Sequence, residues 1–255
     1  MTVKQLYGYF EKLIPGELSA EWDNDGLMVC ADRNDEVSGV LFALDANEEA
    51  VERASELGFN VIITHHPLIF KKLSELSGKS QSSSVAIKAL LKRISVLSFH
   101  TRLDSVDFGV NKALCDVLGI KDTASLGIFD GIHLGMYGYV EEQSVEDFAK
   151  VIKNALSAPN VTVARGADTV KCVAVVGGAG DDCIFEAKSL GVDNFVTGEV
   201  HHHVFMMAKN LGLNIISAGH YHTEAPVLDV LAGKLREFDE NIKFAVYNSN
   251  PTETL

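Results

Sequence analysis

Three short motifs concentrate the side chains able to do chemistry. They are Ile62-Ile63-Thr64-His65-His66-Pro67, then Val96-Leu97-Ser98-Phe99-His100-Thr101-Arg102-Leu103-Asp104, then Ile215-Ile216-Ser217-Ala218-Gly219-His220-Tyr221-His222-Thr223-Glu224. Imidazole nitrogens with carboxylate oxygens suit zinc, manganese or ferrous iron, and the absence of Cys from all three argues against an iron–sulfur cluster. Two ions about 3.5–4 Å apart need several such ligands and at least one bridging carboxylate. His65, His66, Asp104, His220 and Glu224 meet that minimum and leave positions open for water, which favours catalysis over a closed structural site.

Each motif also has a plainer reading. His65 and His66 could be ordinary loop histidines. In an extended segment successive side chains point apart, so the two rings suit two ions, or opposite sides of one cavity, better than one ion. Asp104 could cap the helix that begins nearby, and for that motif alone this is the better reading. Glu224 could sit at a helix N-terminus for dipole reasons, which leaves His220 unexplained. If a helix starts directly after Gly219, His220 and Glu224 stand at i and i+4 on one face, a chelating arrangement.

All three motifs follow β-rich apolar runs, so the elements that must position them are strands of an α/β fold with sites at strand carboxyl ends. The spacing predicts a helix over Val3–Leu13 and a strand over Val37–Leu44. A helix over Glu48–Leu57 and a strand over Phe59–Ile63 complete a strand–helix–strand unit that seeds a parallel sheet. Helix Ser84–Arg93, strand Ile94–Phe99 and helix Asn111–Leu118 continue the alternation. Ile132–Val140 alternates weakly, the hairpin-like piece around Gly131–Val140 reads as the crossover between lobes, and Ser144 with Asp147 reads as a capping box. Strands Val161–Arg165, Val170–Val176, Asn194–Thr197 and Asn214–Ser217 follow, among helices Cys183–Leu190, His202–Leu211 and Ala225–Leu235. Ile242–Val246 is the last strand. The expected architecture is α/β, with two lobes of mixed sheets flanked by helices, residues 1–125 and 126–255, and a dinuclear metal site in the cleft between them. The Ser-rich stretch 74–84 reads as a mobile loop.

Composition narrows the function. The 255 residues are 47% hydrophobic and 22% charged, the balance of a globular chain with ample core. The net charge of -13 and the lack of a basic run disfavour nucleic-acid binding. The 4 Cys form no C-x-x-C pair, so neither a disulfide framework nor a zinc ribbon is expected. With no signal-peptide pattern and no apolar run long enough to span a membrane, the expected location is cytoplasmic.

Weaker candidates remain. Val175-Val176-Gly177-Gly178-Ala179-Gly180 could bring backbone N–H groups to an anion but lacks the Lys-Ser/Thr of a P-loop, and a tight turn against the sheet is the favoured reading. At most one of His201, His202 and His203 is expected to reach a cavity. Asp45 could line the same cavity as the histidines or cap a helix. Trp22 reads as a packing anchor rather than a stacking platform.

Five motifs occur in order: Trp22-Asp23-Asn24-x-Gly26-Leu27, Thr64-His65-His66-Pro67, His100-Thr101-x-Leu103-Asp104, Thr197-Gly198-Glu199 and Gly219-His220-Tyr221-x-Thr223-Glu224. Together they resemble the NIF-three-like dinuclear metal-centre family, whose members are often labelled GTP cyclohydrolase 1 type 2 homologs, in its short form without an inserted domain. The resemblance implies two divalent ions per chain (zinc, iron or manganese), with His66 and Asp104 serving mainly one, His65 and His220 the other, and Glu224 both. His100 would stand behind the ligands or bind on occasion. It also implies a toroidal homohexamer built as a trimer of dimers. Two positions depart from the family: Cys30 where Gly is usual, and Gly131-Ile132-His133-Leu134-Gly135 in place of a Gly-x-Gly-Arg-like segment. The implied activity is metal-dependent hydrolysis of a nucleotide or phosphoester, purine ring opening among the options. The alternative is a non-enzymatic metal-binding or assembly protein.

Overall fold

The computed structural model describes residues 1–253. By backbone contacts the described residues form two units, residues 1–103 with 228–251, and residues 104–227 with 252–253.

In the first unit, α1 (Val3–Leu13) is fixed by a capping box between Thr2 and Gln5 and buries Val3, Leu6 and Phe10 at helical spacing. Strands β1 (Gly26–Val29) and β2 (Val40–Ala43) follow, then α2 (Glu48–Glu56), β3 (Val61–Thr64), α3 (Gln81–Leu91), β4 (Ser95–Ser98) and α4 (Thr101–Ser105), whose last two residues begin the second unit. β2, β3 and β4 are parallel, and every residue of each is buried. Their centres, Leu41-Phe42, Ile62-Ile63 and Val96-Leu97, are therefore continuously apolar rather than alternating. β1 closes the sheet antiparallel to β4, pairing Gly26 with Ser98.

In the second unit, α5 (Val110–Val117) leads to β5 (Lys121–Ser125), the small hairpin β6 (Ile128–Phe129) and β7 (Ile132–His133), and the long β8 (Met136–Ser144). Next come α6 (Val145–Ala155), β9 (Thr162–Ala164), β10 (Thr169–Ala179), α7 (Ile184–Ser189), β11 (Asn194–Glu199), α8 (His202–Leu211), β12 (Asn214–Ser217) and α9 (His220–Glu224). The sheet order is β5-β8-β10-β11-β12-β9. β10, β11 and β12 are parallel and the outer strands antiparallel, so the sheet is mixed as expected. β10 alternates between two cores. Val173 and Val175 join Leu114, Phe148 and Ile152, whereas Ala174 and Val176 join Ile184, Phe195 and Val204. Ser144 caps α6, accepting the Asp147 N–H at 3.1 Å. α10 (Pro226–Phe238) starts in this unit and continues into the first, where Tyr9 stacks on Phe238 at 4.2 Å and β13 (Phe244–Val246) adds to β2 in parallel.

The backbone contacts therefore divide the chain at 103/104 and 227/228 rather than near 125. α4 carries the chain across without a linker, so composition leaves no trace of the change. The stretch around 131–140 lies within the second unit as β7 and the start of β8. No helix among the described residues is long and apolar enough to cross a membrane.

Candidate metal centre

The parallel ladder brings the carboxyl ends of β2, β3 and β4 to one edge of the first unit's sheet. His65 and His66 leave β3 there, His100 follows β4 and Asp45 follows β2. The Thr64 hydroxyl meets that of Ser98 at 2.8 Å, and the Phe99 N–H donates to the Thr64 carbonyl at 2.9 Å, locking the two ends in register. Ligand atoms of His65, His66 and His100 all lie within 4.8 Å of one another.

Each ring is held through Nδ1. His65 Nδ1 lies 3.0 Å from the Phe99 carbonyl oxygen, which can only accept, so this nitrogen carries the proton. His66 Nδ1 meets Asp45 Oδ1 at 2.9 Å, and His100 Nδ1 meets Asp23 at 3.0 Å. An oxygen acceptor on Nδ1 fixes the ring's direction and favours the tautomer whose Nε2 can ligate a cation. His65 is 1% exposed; His66 and His100 are half-buried. Asp45 is thus the partner of His66, while Asn47 caps α2.

The loop before β1 supports the third histidine. Asp23 accepts from His100 Nδ1 and from the Thr101 hydroxyl at 2.6 Å. Burial by itself would raise its pKa, but hydrogen bonds from His100 and Thr101 outweigh burial and hold the carboxyl far below the ordinary range. Asp25 accepts the His100 N–H at 3.2 Å and pairs with the buried Arg102, which also reaches Glu11 at 2.6 Å and the Ile14 carbonyl at 3.0 Å. Burial opposes the Arg102 charge, but Asp25 and Glu11 more than compensate and raise its pKa. The roles of Asp23 and Asp25 were missed by the sequence reading. The available signal was an Asp-x-Asp run just ahead of a strand, whose pairing with β4 sets that run beside His100. Trp22 corrects an expectation: it is 53% exposed, with its ring 6.1 Å from Phe70 and 6.3 Å from His100, so it is no core anchor.

The second unit repeats the logic. Gly219, at φ +93°, turns the chain out of β12 directly into α9. His220 and Glu224 then share a face, with His220 Nε2 at 3.2 Å from Glu224 Oε1. His220 Nδ1 lies 3.1 Å from Glu199 at the end of β11. Glu224 is 5% exposed and sits against Gly178, where a Cβ would overlap its Oε1 and come within 3.1 Å of His220 Nε2. Gly178 also has φ +67°, so its conformation and this close approach both require glycine. The N–H groups of Gly177, Gly178 and Gly180 donate to Asn111, Thr223 and Glu199. They form no anion cradle, and the glycines serve close packing.

Asp104 lies in α4, half-buried, and its carbonyl accepts from Asn111 at 3.3 Å. The next helix, α5, is capped by Gly109, so Asp104 is not its cap. His201 stands at the N-cap position of α8 with its ring turned to Asp181 at 3.0 Å, in an exposed position; His202 and His203 are exposed too. His222 turns to the Leu156 carbonyl at 3.2 Å.

The three imidazoles of the first unit and the His–Glu pair of the second are donor sets that fit a divalent ion of borderline or hard character. The family model for Duf34/NIF3 (NGG1p interacting factor 3) matches residues 1–253. A "GTP cyclohydrolase 1 type 2 homolog" of Clostridium perfringens is 33% identical over 253 residues, covering 96% of each chain. A protein of the same name from Lactococcus lactis is 32% identical over 98% of this chain and 96% of its own. The crystal structure of Staphylococcus aureus hypothetical protein SA1388 superposes with a TM-score of 0.90 at 29% identity, covering 100% of this chain and 99% of that one. The chain belongs to the Duf34/NIF3 family.

Proposed function

We propose that this protein is a divalent-metal-dependent hydrolase in which His65, His66, Asp104, His220 and Glu224 hold two ions. His66 and Asp104 serve mainly one, His65 and His220 the other, and Glu224 both. The observation that carries the reading is the common posture of four imidazoles. His65, His66, His100 and His220 each commit Nδ1 to an oxygen, the outer support typical of metal-binding imidazoles, and His220 Nε2 stands 3.2 Å from the Glu224 carboxylate proposed to share its ion. Divalent ions bound there would supply Lewis acidity and ease the ionisation of water. The protein's part is to orient the rings through their Nδ1 partners and present a buried carboxylate, Glu224, beside His220. Phosphoester, amide and purine-ring substrates all suit this set, and the names carried by the relatives add purine ring opening to the panel.

The experiment is turnover on nucleoside triphosphates, phosphomonoesters and phosphodiesters with zinc, manganese or ferrous iron, against a chelator-treated control. The reading expects metal-dependent hydrolysis that His65→Ala and Asp104→Ala abolish while the proteins stay folded. Absence of turnover by fully loaded protein would favour the second reading, a non-enzymatic metal-binding or assembly protein. The family's description as an interacting factor supports that alternative.

A further inference from the structure

A cavity of about 500 Å³ lies along the segment that follows the His65-His66 turn. Small-molecule sites commonly have this size. In a chain of net charge -13 its wall carries three lysines, Lys71, Lys72 and Lys79. Lys79 pairs with Glu75 at 3.2 Å, and Glu75 also lines the cavity. Lys71 and Lys72 are exposed and make no ion pair among the described residues. Two ammonium groups carried by adjacent residues of one cavity wall make that wall locally positive, and an anion of charge near -2 complements it.

Two side chains relate this cavity to the histidine cluster. Ser82 lines it and also lines a smaller cavity of about 170 Å³ that contains His66, Asp45 and Gln81. Phe70 forms another part of the wall, with its ring 6.2 Å from His100 and 6.1 Å from Trp22. Phe70 and Trp22 are 45% and 53% exposed, so both rings offer open faces near His100.

We propose that the Lys71/Lys72 cavity seats the phosphate of an organic phosphate whose reacting end meets His66 and His100, with Phe70 and Trp22 against its organic part. The inference rests on the metal-hydrolase reading of the histidines and adds the substrate's chemical class and orientation. Lysine is suited to phosphate as a point charge, and the hydroxyls of Ser74 and Ser82 add neutral donors at the same wall.

The test is calorimetric titration of the full chain with inorganic pyrophosphate in the presence of EDTA, so that no cation carries the anion. The expected result is binding that weakens as salt rises and is about tenfold or more weaker in Lys71→Ala/Lys72→Ala. Lys71→Arg/Lys72→Arg should retain binding, and the alanine variant should bind zinc like the parent. No binding by the parent protein, equal binding by the alanine variant, or acetate binding as tightly as pyrophosphate would overturn the proposal. None of these results touches the metal reading, which stands or falls on zinc binding to the same proteins freed of EDTA.

Discussion

Asp23 holds His100 from behind. Its wholly buried carboxylate lies 3.0 Å from His100 Nδ1 and accepts both the hydroxyl and the N–H of Thr101, at 2.6 and 3.1 Å. One side chain thereby fixes the direction of an imidazole and the first residue of α4.

This makes the protein acid-sensitive in a defined window. Asp23 titrates below its ordinary value of 3.8 in the fold, so the unfolded chain takes up its proton first as pH falls. The stabilisation is therefore full above about pH 4 and is lost as pH falls further. Asp23→Asn should be less stable than the parent at pH 6, with the two stabilities drawing together towards pH 3 in urea unfolding. A constant difference across that range would contradict the assignment.

Arg102 ties the same corner to α1. Its guanidinium is 2% exposed and paired with Asp25 and Glu11. Arg102→Met leaves the buried Asp25 carboxylate uncompensated, and the expected loss is about 3–5 kcal/mol in urea unfolding. A loss under about 1 kcal/mol would mean that the pair is solvated and dispensable.

The cysteines should differ in reactivity. Burial pushes the thiols of Cys115 and Cys183 up to about 12 and raises Cys172 as well. Cys30 is the half-buried one of the four. Iodoacetamide at pH 8 should modify Cys30 first in the native protein, read by peptide mass spectrometry, because thiolate is the reacting form. Rapid labelling of Cys115 or Cys183 would contradict their burial.

Much of this was legible in the sequence, for physical reasons. β2, β3, β4 and β12 are short strands with apolar centres, so their carboxyl ends could be located, and with them His65, His66, His100 and His220. β5 was not legible: Lys121–Ser125 is an exposed edge strand with no apolar alternation to betray it. The passage between units at 103/104 runs inside α4, where helical propensity is continuous. Asp23 and Asp25 escaped notice because their partners lie more than 70 positions away and meet them only through the antiparallel pairing of β1 with β4. Trp22 misled because large aromatic residues are usually buried.

Assembly is expected to be homohexameric, on the strength of the family resemblance. Light scattering at micromolar concentration should return six times the 27.6 kDa chain mass. A monomer mass would sink the expectation.

Metal stoichiometry tests the central claim most directly. The purified chain, loaded with zinc and freed of excess, should carry two ions by elemental analysis. Glu224→Ala should lose the most, because one carboxylate is proposed to serve both ions, and His65→Ala should lose about one. Two ions retained in Glu224→Ala would exclude the bridging role, and no bound ion in the parent protein would contradict the account as a whole.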